Sequence, residues 1–238
     1  MKEVEDERLK LLVDEHIAAY GRTACRCAFM ASKDFSFRWS FKDRELDLKV
    51  SDYVRDAPDE ALEDLVKGML GYVFTKKPLS VEIFAEYVRS DEFILAHRPI
   101  FMKRAKNYAE NGIGNVRSLY DSVQRLMDAG LITESDIDNS VFVWSRKTTF
   151  TRLGTCSTMM RVAAVSNIFD SPQYSEHALD YVVYHEIVHL RMGYRPFDRN
   201  PHDREFQRNI RLFPGRKEAE QEISTIPGAR KKACGSCY

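Results

Sequence analysis

Apolar positions change their period several times along the chain, and each change marks an element. Val4, Leu9, Leu11, Leu12, Val13, Ile17 and Tyr20 recur three and four apart among charges, predicting an amphipathic helix over 3–20 that Gly21 ends. From Thr23 to Val54 the chain is rich in Phe, Trp and Val and carries the alternation Leu46, Leu48, Val50, which predicts two or three strands. Asp56-Ala57-Pro58 then opens a helix to about Tyr72, with Pro58 in its first turn and Asp59, Glu60, Glu63 and Asp64 near its positive end. Beyond Lys76-Lys77-Pro78 the sequence reads as further helix to about Asn111, and Gly112 and Gly114 break it.

A second, similar succession begins there. Val116, Leu119, Tyr120, Val123, Leu126 and Met127 are spaced as a helix stopped by Gly130, and Val141-Phe142-Val143-Trp144 opens a β-rich stretch. A strand is expected near Met160 to Val165. Asp170-Ser171-Pro172 then precedes a helix through Leu190, with Gly193 beyond it. The two stretches correspond at an offset of about 114 to 117: Arg38-Trp39-Ser40 falls on Arg152-Leu153-Gly154, Val50-Ser51 on Val165-Ser166, Asp56-Ala57-Pro58 on Asp170-Ser171-Pro172, Ala61-Leu62-Glu63 on Ala178-Leu179-Asp180 and Lys77-Pro78 on Arg195-Pro196. The expectation is an α+β chain of two tandem halves, residues 1–111 and 112–238.

Chemistry is concentrated in His185-Glu186-Ile187-Val188-His189. On a helix, histidines at i and i+4 leave the same face and can bind one metal ion, with the intervening Glu beside its open position. The surrounding Tyr181, Val182, Val183, Ile187, Val188 and Leu190 bury that helix on most of its surface. Two imidazoles and a carboxylate buried there need polar partners, which a metal supplies. A catalytic zinc takes three protein ligands and a water. The leading third donor is His202, thirteen residues beyond His189, with Glu205 and Glu218 as alternatives. His16, His97 and His177 lack such a setting and are expected at the surface or satisfied by neighbours.

Composition limits what else the chain does. Of 238 residues, 44% are hydrophobic, enough for a cooperative core, and the 36 basic residues balance the 36 acidic ones, so no overall field attracts nucleic acid or an acidic membrane. Arg230-Lys231-Lys232 with Lys103-Arg104 and Lys106 is the one candidate basic patch. An acidic start without an apolar run predicts no export signal, and no stretch is long enough for a membrane span, so a cytoplasmic protein is expected. Five cysteines suit a reducing compartment. Cys25, Cys27, Cys234 and Cys237 form two pairs that read first as ordinary thiols and second as a four-thiolate zinc site, while Cys156 reads as a small packing residue.

Several of these segments together resemble the YgjP-like and SprT-like zinc metallopeptidases. The residues concerned are Arg152-Leu153-Gly154-Thr155-Cys156-Ser157, then Arg161-Val162, then Leu179 to Leu190 around the H-E-x-x-H, then His202 with Phe206 and Leu212-Phe213-Pro214. Leu153 stands where those proteins carry Trp, and the interval from His189 to His202 is longer than theirs. The resemblance covers about residues 140–225. It implies a zincin-like fold, a small antiparallel or mixed sheet on the H-E-x-x-H helix, with His185, His189 and His202 as Zn²⁺ ligands and Glu186 as general base.

Seen this way, residues 1–111 are expected to be a degenerate, metal-free copy, because Gly68-Met69-Leu70-Gly71-Tyr72 stands where the second half has its ligands, with an unrelated α+β extension as the alternative. The expected activity is zinc-dependent hydrolysis of peptide bonds in a peptide or protein substrate. Two other readings carry different tests: a zinc-stabilised binding or scaffold protein with little protease activity, and a DNA-associated protease, the latter disfavoured by the neutral charge. Tyr194, Arg152 and Arg195 are candidate stabilisers of the oxyanion. An extended peptide is expected along the edge of the strand near Met160 to Val165.

Overall fold

The computed structural model describes residues 3–77, 80–198 and 200–228. It is a mixed α/β structure with two small mixed sheets, and among the described residues no helix is long and apolar enough to cross a membrane. Cys234, Cys237, the Arg230-Lys231-Lys232 run and Pro78 lie outside the described residues. The chain divides into two compact units, Met1–Arg104 with Arg195–Asp198, and Ala105–Tyr194 with Arg199–Tyr238. The division therefore falls between Arg104 and Ala105, where the last helix of the first unit stops, whereas the glycines had pointed to 111/112.

In the first unit, β1 (Glu3–Glu5) precedes α1 (Glu7–Ile17) and three strands, β2 (Thr23–Met30), β3 (Phe37–Lys42) and β4 (Glu45–Ser51). The first three of these residues were expected in the helix. They pair antiparallel with β2 instead, and Asp6 caps α1 by accepting a bond from Leu9 N. The sheet order is β1-β2-β4-β3, with β2 parallel and β3 antiparallel to β4. A 3₁₀ turn at Asp52–Val54 leads to α2 (Asp59–Thr75), then α3 (Glu82–Arg89) and α4 (Asp91–Arg104). α2 is buried on most sides through Leu62, Leu65, Val66, Met69 and Leu70.

The second unit opens with α5 (Leu119–Asp128) and the single turn α6 (Glu134–Ile137), followed by β5 (Val141–Trp144), β6 (Gly154–Ser157) and β7 (Val162–Val165). Its sheet order is β5-β7-β6, with β5 parallel and β6 antiparallel to β7. β7 reads Val-Ala-Ala-Val and is buried along its whole length, as a central strand requires. Being central, it offers no free edge, so the expectation of a peptide along Met160 to Val165 is corrected: the open edge beside the site helix is that of β6. A 3₁₀ turn at Asn167–Phe169 leads to α7 (Glu176–Met192), then α8 (Arg204–Ile210) and α9 (Arg216–Ser224).

α7 is the axis of the second unit. Ser175 caps its start by accepting from Ala178 N, and Gly193 ends it at φ +68°, a value costly for a side-chain-bearing residue. Ala178, Leu179, Val183, Tyr184, Ile187 and Val188 pack into one core with Phe142, Trp144, Val165 and Phe206. Polar ties fix its rotation. Asp180 accepts from Arg125 and from Ser122 on α5, and Arg191 is held by Asp136 and by the Asn209 side chain. Tyr184 donates to the Asn209 carbonyl at 2.8 Å, which joins α7 to the end of α8.

Candidate metal centre

His185 and His189 lie one turn apart on α7, and His202 comes to them from the segment just before α8. That approach is set locally: Asp203 caps α8 by accepting from both Glu205 N and Phe206 N at 2.9 Å, so the chain enters the helix at a fixed angle with His202 one residue outside the cap. One ring nitrogen of each histidine lies within 4.8 Å of the others. The Nε2 atoms of His185 and His202 are 3.2 Å apart, close to the ~3.3 Å edge of a tetrahedral site with metal–nitrogen bonds of about 2.0–2.1 Å. Phe206 is buried against all three rings, with centroid distances of 4.9, 4.5 and 4.5 Å to His185, His189 and His202.

Burial sets the protonation of the cluster. It pushes His185 well below the ordinary imidazole range, with the neighbouring histidines adding to the effect. It takes His189 down to about 3 and lowers His202 as well. Neutral imidazoles are the form that binds a metal. Glu186 is 2% exposed, and burial pushes its carboxyl up to about 8.

Two buried atoms at the site have no hydrogen-bond partner, Glu186 Oε2 and His189 Nε2. Orphaned buried polar atoms are uncommon and call for a physical reason. Here one is a nitrogen turned toward two other imidazoles, and the second is an adjacent carboxylate oxygen. A metal ion with its water satisfies both, so the residues present fit the group that the motif implies. Three histidines able to hold a metal ion is what the structure establishes.

Gly154, at the start of β6, is the residue that makes room for Glu186. A Cβ there would overlap Glu186 Oε1 and Cδ, so any larger residue would have to displace the carboxylate from its place. Neither Gly154 nor Phe206 had been given a role from sequence. A glycine inside a strand is a signal for close approach, but it does not say to what.

The other candidates are placed elsewhere. Glu205 and Glu218 are exposed and do not join the donor group found among the described residues. His16 meets Glu63 at 3.1 Å, His97 the Phe93 carbonyl at 2.8 Å and His177 the Gly215 carbonyl at 3.0 Å, so each is satisfied apart from the site. Arg195 belongs to the first compact unit. Burial raises the Tyr194 phenol, keeping it protonated and able to donate. Cys27 is buried and Cys156 half-buried against the core. Arg104 is not part of a free basic patch, because it forms a two-bond pair with Asp52 at 2.7 and 2.6 Å. No protein-family model, no curated protein and no solved structure matches this chain.

Proposed function

We propose that the second unit is a zinc-dependent peptidase of the zincin type, similar to the YgjP-like and SprT-like enzymes. The observation that carries this reading is a buried Glu186 carboxylate oxygen without a partner beside three convergent imidazoles. His185, His189 and His202 hold the metal. Bound zinc supplies a Lewis acid for the peptide carbonyl and brings the pKa of water toward about 7. Glu186 takes the proton of the attacking water at Oε2 and returns it to the leaving amine, and its raised affinity for a proton suits that exchange. Phe206 and the apolar side of α7 keep bulk water from the ligand rings. The edge of β6, where Gly154 touches Glu186, is where an extended substrate strand would pair.

A purely structural zinc does not need the Glu186 carboxylate, which weighs against a scaffold role. The test has two parts. Protein purified without added metal should carry about one zinc per chain. Glu186→Gln should keep that zinc and lose peptide hydrolysis by at least about 100-fold. A metal-free native chain would defeat the reading of the site, and full hydrolysis by the variant would remove Glu186 from the mechanism.

We further infer that the first unit is a metal-free copy of the same fold. Supporting this, β2-β4-β3 and β5-β7-β6 share order and direction, and α2 and α7 are each 17 residues long. An offset of 117 lays one helix on the other and places Gly68 under His185, Met69 under Glu186 and Tyr72 under His189. In the first unit Val81 and Phe197 occupy that place: a Cβ at Gly68 would overlap Val81 Cγ1 and lie 2.8 Å from the Phe197 ring, and Tyr72 stacks on that ring at 5.9 Å. A second zinc per chain that survives replacement of Cys25, Cys27, Cys234 and Cys237 by Ser would contradict this inference.

A further inference from the structure

An open pocket of ≈ 660 Å³ borders the third histidine, and its lining is unusually cationic: Arg204, Arg208 and Arg211 with His202, Asp203 and Gln207. The volume is within the range of peptide and small-ligand sites. The arginines stand at i, i+4 and i+7, so they share one face of α8 and its last turn. All three are exposed, and among the described residues none of their guanidinium groups is engaged in an ion pair or hydrogen bond. Asp203 Oδ1 is held by the cap of α8. The pocket thus sets three arginines against one carboxylate, a net positive lining beside one of the residues that defines the metal centre.

We propose that this arginine row selects acidic peptide segments, holding substrate carboxylates on one side of the scissile bond. The proposal rests on the peptidase reading and names its substrate class. Guanidinium groups bind carboxylates through two parallel N–H donors, which gives direction as well as attraction. Arg204 and Arg208 are about 6 Å apart along the helix, close to the ~6.7 Å between side chains on one face of an extended strand. Carboxylates at alternate positions of an extended peptide therefore match the row. A nucleic acid fits less well, because among the described residues no Phe, Tyr or Trp lines the pocket to stack a base.

The test uses the full-length Glu186→Gln protein with zinc and labelled eight-residue peptides carrying Glu, Gln or Lys at two alternate positions, read by fluorescence anisotropy. The Glu peptide should bind about 10-fold more tightly than the Gln peptide, with the gap closing in high salt. Arg208→Glu should abolish the preference for the Glu peptide, and Arg208→Gln should only reduce it. Equal binding of the Glu and Gln peptides, no peptide binding at all, or an order untouched by Arg208→Glu would overturn the proposal. So would a twelve-nucleotide single strand binding more tightly than the Glu peptide. The underlying reading fails separately: a Glu preference in a chain that cleaves nothing removes the peptidase and keeps the pocket, whereas hydrolysis indifferent to charge does the reverse.

Discussion

Glu186 combines two properties that rarely coexist, complete burial and the absence of a hydrogen bond to Oε2. In the metal-free protein this has a measurable consequence. The folded state holds the Glu186 proton up to about pH 8, while an unfolded chain releases it near the ordinary 4.5. Between these values the folded state binds more protons, so the contribution of Glu186 to stability falls as pH rises and levels off above about 8. Urea unfolding of the metal-free native chain and of Glu186→Gln should diverge from pH 4.5 to pH 8.5 by on the order of 3 kcal/mol, in favour of the variant. The opposite trend from His189, whose depressed value makes stability rise with pH from about 3 to 6.5, is common to both proteins and cancels. Gly154→Ala pushes directly on the same carboxylate. It should lower peptide hydrolysis at least about 10-fold while zinc content stays near one, because the three imidazoles are untouched. His185 and His189 were readable in sequence because their i, i+4 spacing puts them on one helix face, with Glu186 between them, and His202 was legible only as the leading of several third donors. Gly154 and Phe206 were not, since their roles arise from contacts between elements distant along the chain.

At the scale of elements, strong periodicity and punctuation transferred well. α2, α5 and α7 lie where the apolar spacing and the Pro and Gly signals around them put them, and the strands between Thr23 and Val54 number three. What failed was pairing. Glu3–Glu5 has a single apolar residue among charges and becomes a strand only because β2 is there to receive it. The run Val162–Val165 looked like any short apolar strand, and nothing local says that it lies between two others. α8 has only seven residues, too few to be stable without its cap and its packing. Asp203→Ala should therefore cost about 1 kcal/mol and loosen the hold on His202, weakening zinc affinity by about 10-fold, which competition with a chromogenic chelator would measure. Unchanged affinity would mean that Phe206 alone fixes the position of His202.

Across the whole molecule, the four residues Arg195–Asp198 matter most for organisation, because they leave the sequence neighbourhood of the metal centre and belong to the first compact unit. Phe197 is set there between Phe37 and Tyr72, at 5.8 and 5.9 Å, with a φ of +59° that a bulky residue adopts only when its packing compensates. Phe197→Ala should lower stability by about 1–3 kcal/mol and speed hydrogen exchange at the α2 amides, since the ring contacts to Phe37 and Tyr72 are lost. The path of the chain also bears on inheritance. The backbone passes between the two units three times, at 104/105, 194/195 and 198/199. Residues 105–238 are thus not a cassette that recombination, or a protein engineer, can lift out intact, because the excised piece carries away an aromatic side chain that its former neighbour was folded around.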